Sequence, residues 1–121
     1  MHVILSTTFF AASLAASSAA SSLASAQSSN DGVWAVTMNT QQGQCDRTVS
    51  STLQVRNGQV DENGLFARIS GSVDDAGKVT LQVARGSDSI SAHGTVTGQQ
   101  GHGSWSSPTR NCFGNWTAMR G

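Results

Sequence analysis

The chain has 121 residues, with seven Lys or Arg set against seven Asp or Glu and a formal net charge of zero. That balance excludes the dense basic face which displaces counterions from phosphates, so neither nucleic acid nor an acidic membrane surface is an expected partner. The first 26 residues carry none of the charge and no glycine. They run from Val3-Ile4-Leu5 through Phe9-Phe10-Ala11-Ala12 into an Ala/Ser stretch that ends Ala24-Ser25-Ala26. Small residues at the third and first positions before a cut are what signal peptidase accepts, and Ala24-x-Ala26 supplies them. Serine dilutes the segment from Ser13 onward, which argues against a membrane anchor. The sequence therefore predicts a signal peptide over 1–26, a flexible polar leader over 27–31, and a single domain over 32–121 that spans no membrane.

After Asp31-Gly32 the apolar period is two, almost without a break. Trp34, Val36 and Met38 share one face of a first strand; Val49, Ser51, Leu53 and Val55 share one face of a second. The second ends at Asn57-Gly58, the strongest short hairpin signal a sequence offers, because a type I′ turn needs two positive φ angles. A short strand near Gln59–Asp61 leads to a turn at Asn63-Gly64. Leu65, Ala67, Ile69, Gly71 and Val73 then alternate with polar residues up to Asp74-Asp75-Ala76-Gly77. Val79, Leu81 and Val83 make the next strand and Ile90, Ala92, Gly94 and Val96 the one after, with a turn read over Gly98 to Gly101. Gly103-Ser104-Trp105, a loop holding Pro108, and a final strand around Cys112 to Met119 complete the chain. Seven or eight short strands joined by tight turns make an antiparallel meander, and such a sheet hides its edges by curling. The expected fold is all-β: a small up-and-down barrel or half-barrel, ahead of a two-sheet sandwich.

Cys45 and Cys112 are the only cysteines, so one pairing exists, and in an exported chain it reads as a disulfide. Their wide separation is unlike the C-x-x-C spacing of a redox pair.

The three tryptophans each follow a glycine at a distance of two: Gly32-x-Trp34, Gly103-x-Trp105 and Gly114-x-Trp116. Either the indoles fill a barrel whose other inward positions are small, or they line a cavity for an apolar ligand.

Catalytic chemistry has little to stand on. His93 and His102, read as four residues apart on one outward face, are too distant to share a metal. Asp61-Glu62 and Asp74-Asp75 each precede a Gly-containing turn, where Asp caps its own backbone. No serine sits in a nucleophile elbow. Asn115-Trp116-Thr117 matches a glycosylation sequon within an expected strand and is set aside. No enzyme activity, metal or cofactor is expected.

One residue frame covers nearly the whole mature chain: Asp31-Gly32-x-Trp34, Gly43-x-Cys45-Asp46, Asn57-Gly58-x-Val60, Gly71-x-Val73, Gly77-x-Val79-x-Leu81-x-Val83, Gly101-x-Gly103-x-Trp105 and Cys112-x-Gly114-x-Trp116-x-Ala118-x-Arg120. It resembles small exported alphaproteobacterial proteins of unknown function, some of them labelled as haem utilisation proteins. The resemblance brings no haem-ligand motif with it. Haem iron takes an axial His, Cys, Met or Tyr; here tyrosine is absent, which leaves Met38 and Met119 beside histidines read as outward and cysteines read as bridged. A fainter architectural similarity is to exported β-barrel protease inhibitors.

The expectation is thus a monomeric, non-enzymatic binding or structural module, periplasmic or extracellular, whose partner is an unknown protein or small ligand. A small-molecule binder with a tryptophan-lined interior, haem included, comes second, and a secreted-protease inhibitor third.

Overall fold

The computed structural model describes residues 29–64 and 67–121. The expected signal peptide and the first two leader residues lie outside the described residues. Eight strands follow one another: β1 (Gly32–Gln42), β2 (Thr48–Val55), β3 (Gln59–Asn63), β4 (Arg68–Val73), β5 (Lys78–Arg85), β6 (Asp88–Thr97), β7 (Gln100–Ser107) and β8 (Cys112–Arg120). All pairings are antiparallel, in the order β2-β1-β8-β7-β6-β5-β4-β3. The last strand lies against the first, with Met38 opposite Trp116 and Trp34 opposite Arg120, so the meander curls into a nearly closed up-and-down barrel. No described helix is long and apolar enough to cross a membrane.

Closure is governed by tryptophans lying against glycines. In the β7–β8 register, Trp105 faces Gly114 and Trp116 faces Gly103. A Cβ added at Gly94, the β6 neighbour of Gly103, would stand 2.5 Å from Cζ2 of Trp116. One added at Gly103 itself would run into the His93 carbonyl oxygen. The backbones of β6 and β7 therefore approach as closely as they do because neither residue has a side chain there, and the indole of Trp116 lies against Gly94 and, on β7, Gly101. Every indole N–H is satisfied: Trp34 donates to the Asn30 carbonyl, Trp116 to that of His93, and Trp105 to those of Asn39 and Asn115. Buried amphipathic rings need such partners.

One turn was expected over Gly98 to Gly101, yet the chain turns on Gly98-Gln99 alone and Thr97 pairs with Gln100. Gly101 and Gly103 are strand residues, the first beneath Trp116, and not turn residues. The shorter loop shifts the register, so His102 pairs with Thr95 and not with Thr97. His93 and His102 are then two residues out of register, not four, and both remain exposed.

The floor of the barrel is closed by the segment expected to be a mobile leader. Asn30 is 7% exposed and its side chain donates to the Asp74 carbonyl. The Asp31 carboxylate accepts from the N–H groups of Asn57 and Gly58. Arg120 binds the underside through the carbonyls of Ser29, Asp31 and Gly98 and the side chain of Gln99, while its guanidinium carbon stands 5.0 Å from the centre of the Trp34 ring. Five donors on a planar fork suit a cluster of carbonyls, which is why polar residues here are fixed.

The barrel has one weak joint. Asn57 and Gly58 adopt φ of 55° and 75°, as a type I′ turn demands. Yet β2 and β3 share only the bridge between Arg56 and Gln59 before they part. Above it the Glu62 carboxylate accepts from the Gln54 N–H at 2.7 Å. Glu62 thus spans the seam from within β3, whereas the sequence placed it in turn chemistry; Asp74 does cap its own turn, accepting from Ala76 and Lys78. The reason for the parting lies in β3, which is short and charged, as edge strands are.

Cys45 on the β1–β2 loop and Cys112 at the head of β8 form the expected disulfide, with Cα atoms 6.2 Å apart and 67 positions between them in sequence. Removing it by a Cys45→Ser, Cys112→Ser double substitution should cost about 4 kcal/mol on chain-entropy grounds, read in denaturant unfolding; thiol titration of the unreduced, denatured protein should find no free sulfhydryl. Trp116→Ala should cost roughly 3–5 kcal/mol and Gly94→Ala about 1–3 kcal/mol, measured as loss of thermal stability. Either variant melting like the parent would show that the ring-on-glycine contact does not hold the wall.

Candidate functional site

Alternation along every strand sends one set of side chains into the lumen. At the floor the inward positions are fully buried: Trp34, Val55, Val60, Val73, Val79, Val96 and Ala118. Towards the other end the inward residues Val36, Met38, Ile69, Leu81, Val83 and Ile90 are only partly buried, and Val49 is 42% exposed. Aliphatic side chains facing inward yet still meeting solvent mark a lumen that the protein's own atoms do not fill, since filled cores are close-packed. A cavity of 320 Å³ occupies it. This lies at the small end of ligand pockets, which run to about 300–1,000 Å³.

The cavity is closed below by the Asn30–Arg120 floor and opens at the end where the loops β1–β2, β3–β4, β5–β6 and β7–β8 gather. Its lining is graded along the barrel axis. Only apolar residues reach the lower part. Thr40, Asp46, Ser51, Arg85, Asp88, Ser107 and Arg110 line the upper part and the mouth. The disulfide forms part of the rim through Cys45. Arg110 is paired with Asp88 at 3.6 Å. Arg85 is the register partner of Asp88 across the β5–β6 hairpin and has no ion-pair partner among the described residues.

Trp34, Trp105 and Trp116 are each 4–5% exposed and all border the cavity. The rings are thus both buried and part of the lining, so their placement does not separate the packing alternative from the lining one. Trp105, although close in sequence to Pro108, is buried, its N–H donating to carbonyls of β1 and β8. Sequence reasoning missed Arg120 as the organiser of the floor and Arg85 and Arg110 as rim residues. For Arg120 the available signal was a lone cation at the end of a terminal apolar strand. For Arg85 it was an arginine at an inward parity position, continuing Val79, Leu81 and Val83.

His93 and His102 point outward, both cysteines are bridged, and Met119 is 55% exposed on the outer face. Met38 is the one haem-iron donor left on the lining, so the described interior does not fit a haem site. Among the described residues no group of three or more His, Cys, Asp or Glu could hold a metal ion.

Comparison with known protein families, with characterised proteins and with solved structures finds no match to this chain.

Proposed function

We propose that this chain is an exported, non-enzymatic binding module that takes a small apolar molecule into the barrel. The carrying observation is the 320 Å³ lumen lined by partly exposed aliphatic side chains. Leaving those groups against water forgoes burial worth about 25 cal/mol per Å², which an apolar occupant would recover. The disulfide is consistent with an oxidising destination, periplasmic or extracellular, and none of the described residues forms a helix long and apolar enough to cross a membrane. The resemblance to small exported alphaproteobacterial proteins points the same way.

A second reading, a module that binds another protein, draws on the seam. Thr48 to Thr52 of β2 are exposed and, while paired with β1 on one side, meet no strand on the β3 side above the Arg56–Gln59 bridge. A peptide adding a strand would pair there. Because those residues are mostly Ser and Thr, with little apolar surface to bury, the lumen is the better-supported site.

Titration with dodecanol, followed by intrinsic tryptophan fluorescence, tests the first reading. Saturable change with one site per chain is expected, together with a raised melting temperature, since a ligand that binds only the folded state stabilises it by about 2.7 kcal/mol at a hundred times its dissociation constant. Ile90→Phe, which fills the lumen, should abolish the fluorescence change without lowering the melting temperature by more than a few degrees. No change in fluorescence or melting on adding dodecanol would overturn the proposal.

A further inference from the structure

We infer that the barrel holds a single-chain anionic amphiphile, its alkyl tail down the lumen and its acidic head at Arg85 and Arg110. This rests on the reading of the lumen as an apolar binding cavity and adds the shape and charge of the occupant.

The shape follows from the lining. On β5 alone it runs from Val79 at the floor to Arg85 at the mouth. At strand rise and the tilt of a small barrel, that stretch covers roughly 15 Å along the axis. A volume of 320 Å³ spread over such a depth is a narrow column. Taking about 30 Å³ for a unit the size of a water or methylene, it holds roughly ten of them in file. A flat ring system needs width that a column of this volume does not have once it reaches from floor to mouth. An unbranched chain needs only depth.

The polarity follows from where the charged residues sit. Every charged lining residue is at the mouth, and the lower lining is wholly apolar. A ligand matched to this gradient has one polar end and one apolar end. Arg110 pairs with the Asp88 carboxylate at 3.6 Å, while Arg85, the register partner of Asp88 on β5, makes no ion pair among the described residues. One positive charge on that arc is left without a described counter-ion. Asp46, the other acidic lining residue, is on the β1–β2 loop next to Cys45, whose disulfide to Cys112 ties that loop to the head of β8; the β5–β6 hairpin lies farther round the barrel, beyond β7. A carboxylate or sulfate head is therefore drawn to the β5–β6 hairpin, the charged part of the rim farther from Asp46, where Arg85 makes no described ion pair and Arg110 reaches across to Asp88, so that guanidinium forks can meet it in the paired geometry they favour.

The experiment compares three ligands sharing one tail, below their micellar concentrations and read by tryptophan fluorescence: dodecanoate, dodecanol and dodecyltrimethylammonium. Dodecanoate should bind about tenfold more tightly than the alcohol, as expected for a charge-assisted hydrogen bond, and the ammonium more weakly still. The preference should shrink as salt is raised. Arg85→Gln and Arg110→Gln together should remove it while leaving dodecanol binding intact, and Arg85→Glu should reverse it towards the ammonium. Both positions are on the exposed rim, so unchanged melting temperatures will show that the variants fold. Across decanoate to hexadecanoate, affinity should climb by up to about fourfold per methylene and then level off once the tail reaches the floor. Equal binding of all three head groups, or a preference that survives the arginine substitutions, overturns the inference and leaves the apolar cavity standing. Failure of every ligand, dodecanol included, overturns both.

Discussion

The dimension that everything else inherits is the thickness of one indole ring laid against two glycines. Trp116 cannot lie where it does unless Gly94 and Gly101 present bare backbone on adjacent strands. Its N–H then reaches the His93 carbonyl and locks the ring to the wall. Trp105, in register with Gly114, has its N–H anchored to carbonyls of β8 and of β1 beyond it. These contacts pull β6, β7, β8 and β1 into a tight arc. The opposite arc, β2 to β5, carries Val, Leu and Ile, and its one comparable close approach, Gly71 of β4 under Leu81 of β5, is covered by an aliphatic side chain and not by a ring. An eight-stranded barrel is just wide enough for side chains to fill or for one small ligand to enter. Thick rings on one arc and slender aliphatics on the other leave space on the aliphatic side of the lumen.

The two ends of the barrel are treated differently by the same physical means. At the floor a guanidinium gathers four backbone or amide oxygens and stacks on Trp34, and a carboxylate caps a turn. Polar groups there are spent on each other. At the mouth the polar groups are fewer contacts apart from solvent: a single ion pair with side chains 51% and 36% exposed, and an arginine beyond it. An exposed pair of that kind contributes little to stability. The mouth is therefore free to change its contacts in a way the floor is not.

The barrel and its disulfide were legible because their signals are local and periodic. Alternation fixed the inward face of nearly every strand, Asn57-Gly58 fixed a turn, and two cysteines allow one pairing. What was not legible depends on how residues meet across strands. Glycine is the clearest case: Gly98 turns the chain, while Gly101, a few residues on, lies flat under a ring, and composition does not distinguish the two uses. That ambiguity alone displaced His102 by two positions. Asn30 and Asp31 looked mobile because polar residues outside a periodic segment usually are; their order comes from partners far off in sequence, Asp74 for Asn30 and Asn57, Gly58 and Arg120 for Asp31. The seam is a third case. A turn sequence can specify a hairpin's bend without specifying that the strands stay together, and the short charged β3 gives them little reason to.

An even number of strands in a simple meander brings the chain back to the end from which it started. Ser29 and Gly121 are consequently at the same pole, the Gly121 N–H donating to the Val33 carbonyl beside the floor. The opening lies at the opposite pole. Anything joined to either terminus, whether a surface tether, a partner domain or an affinity tag, hangs from the sealed base and points the aperture away from the point of attachment. The parity of the strand count thus orients the molecule on any support without a residue being set aside for the purpose.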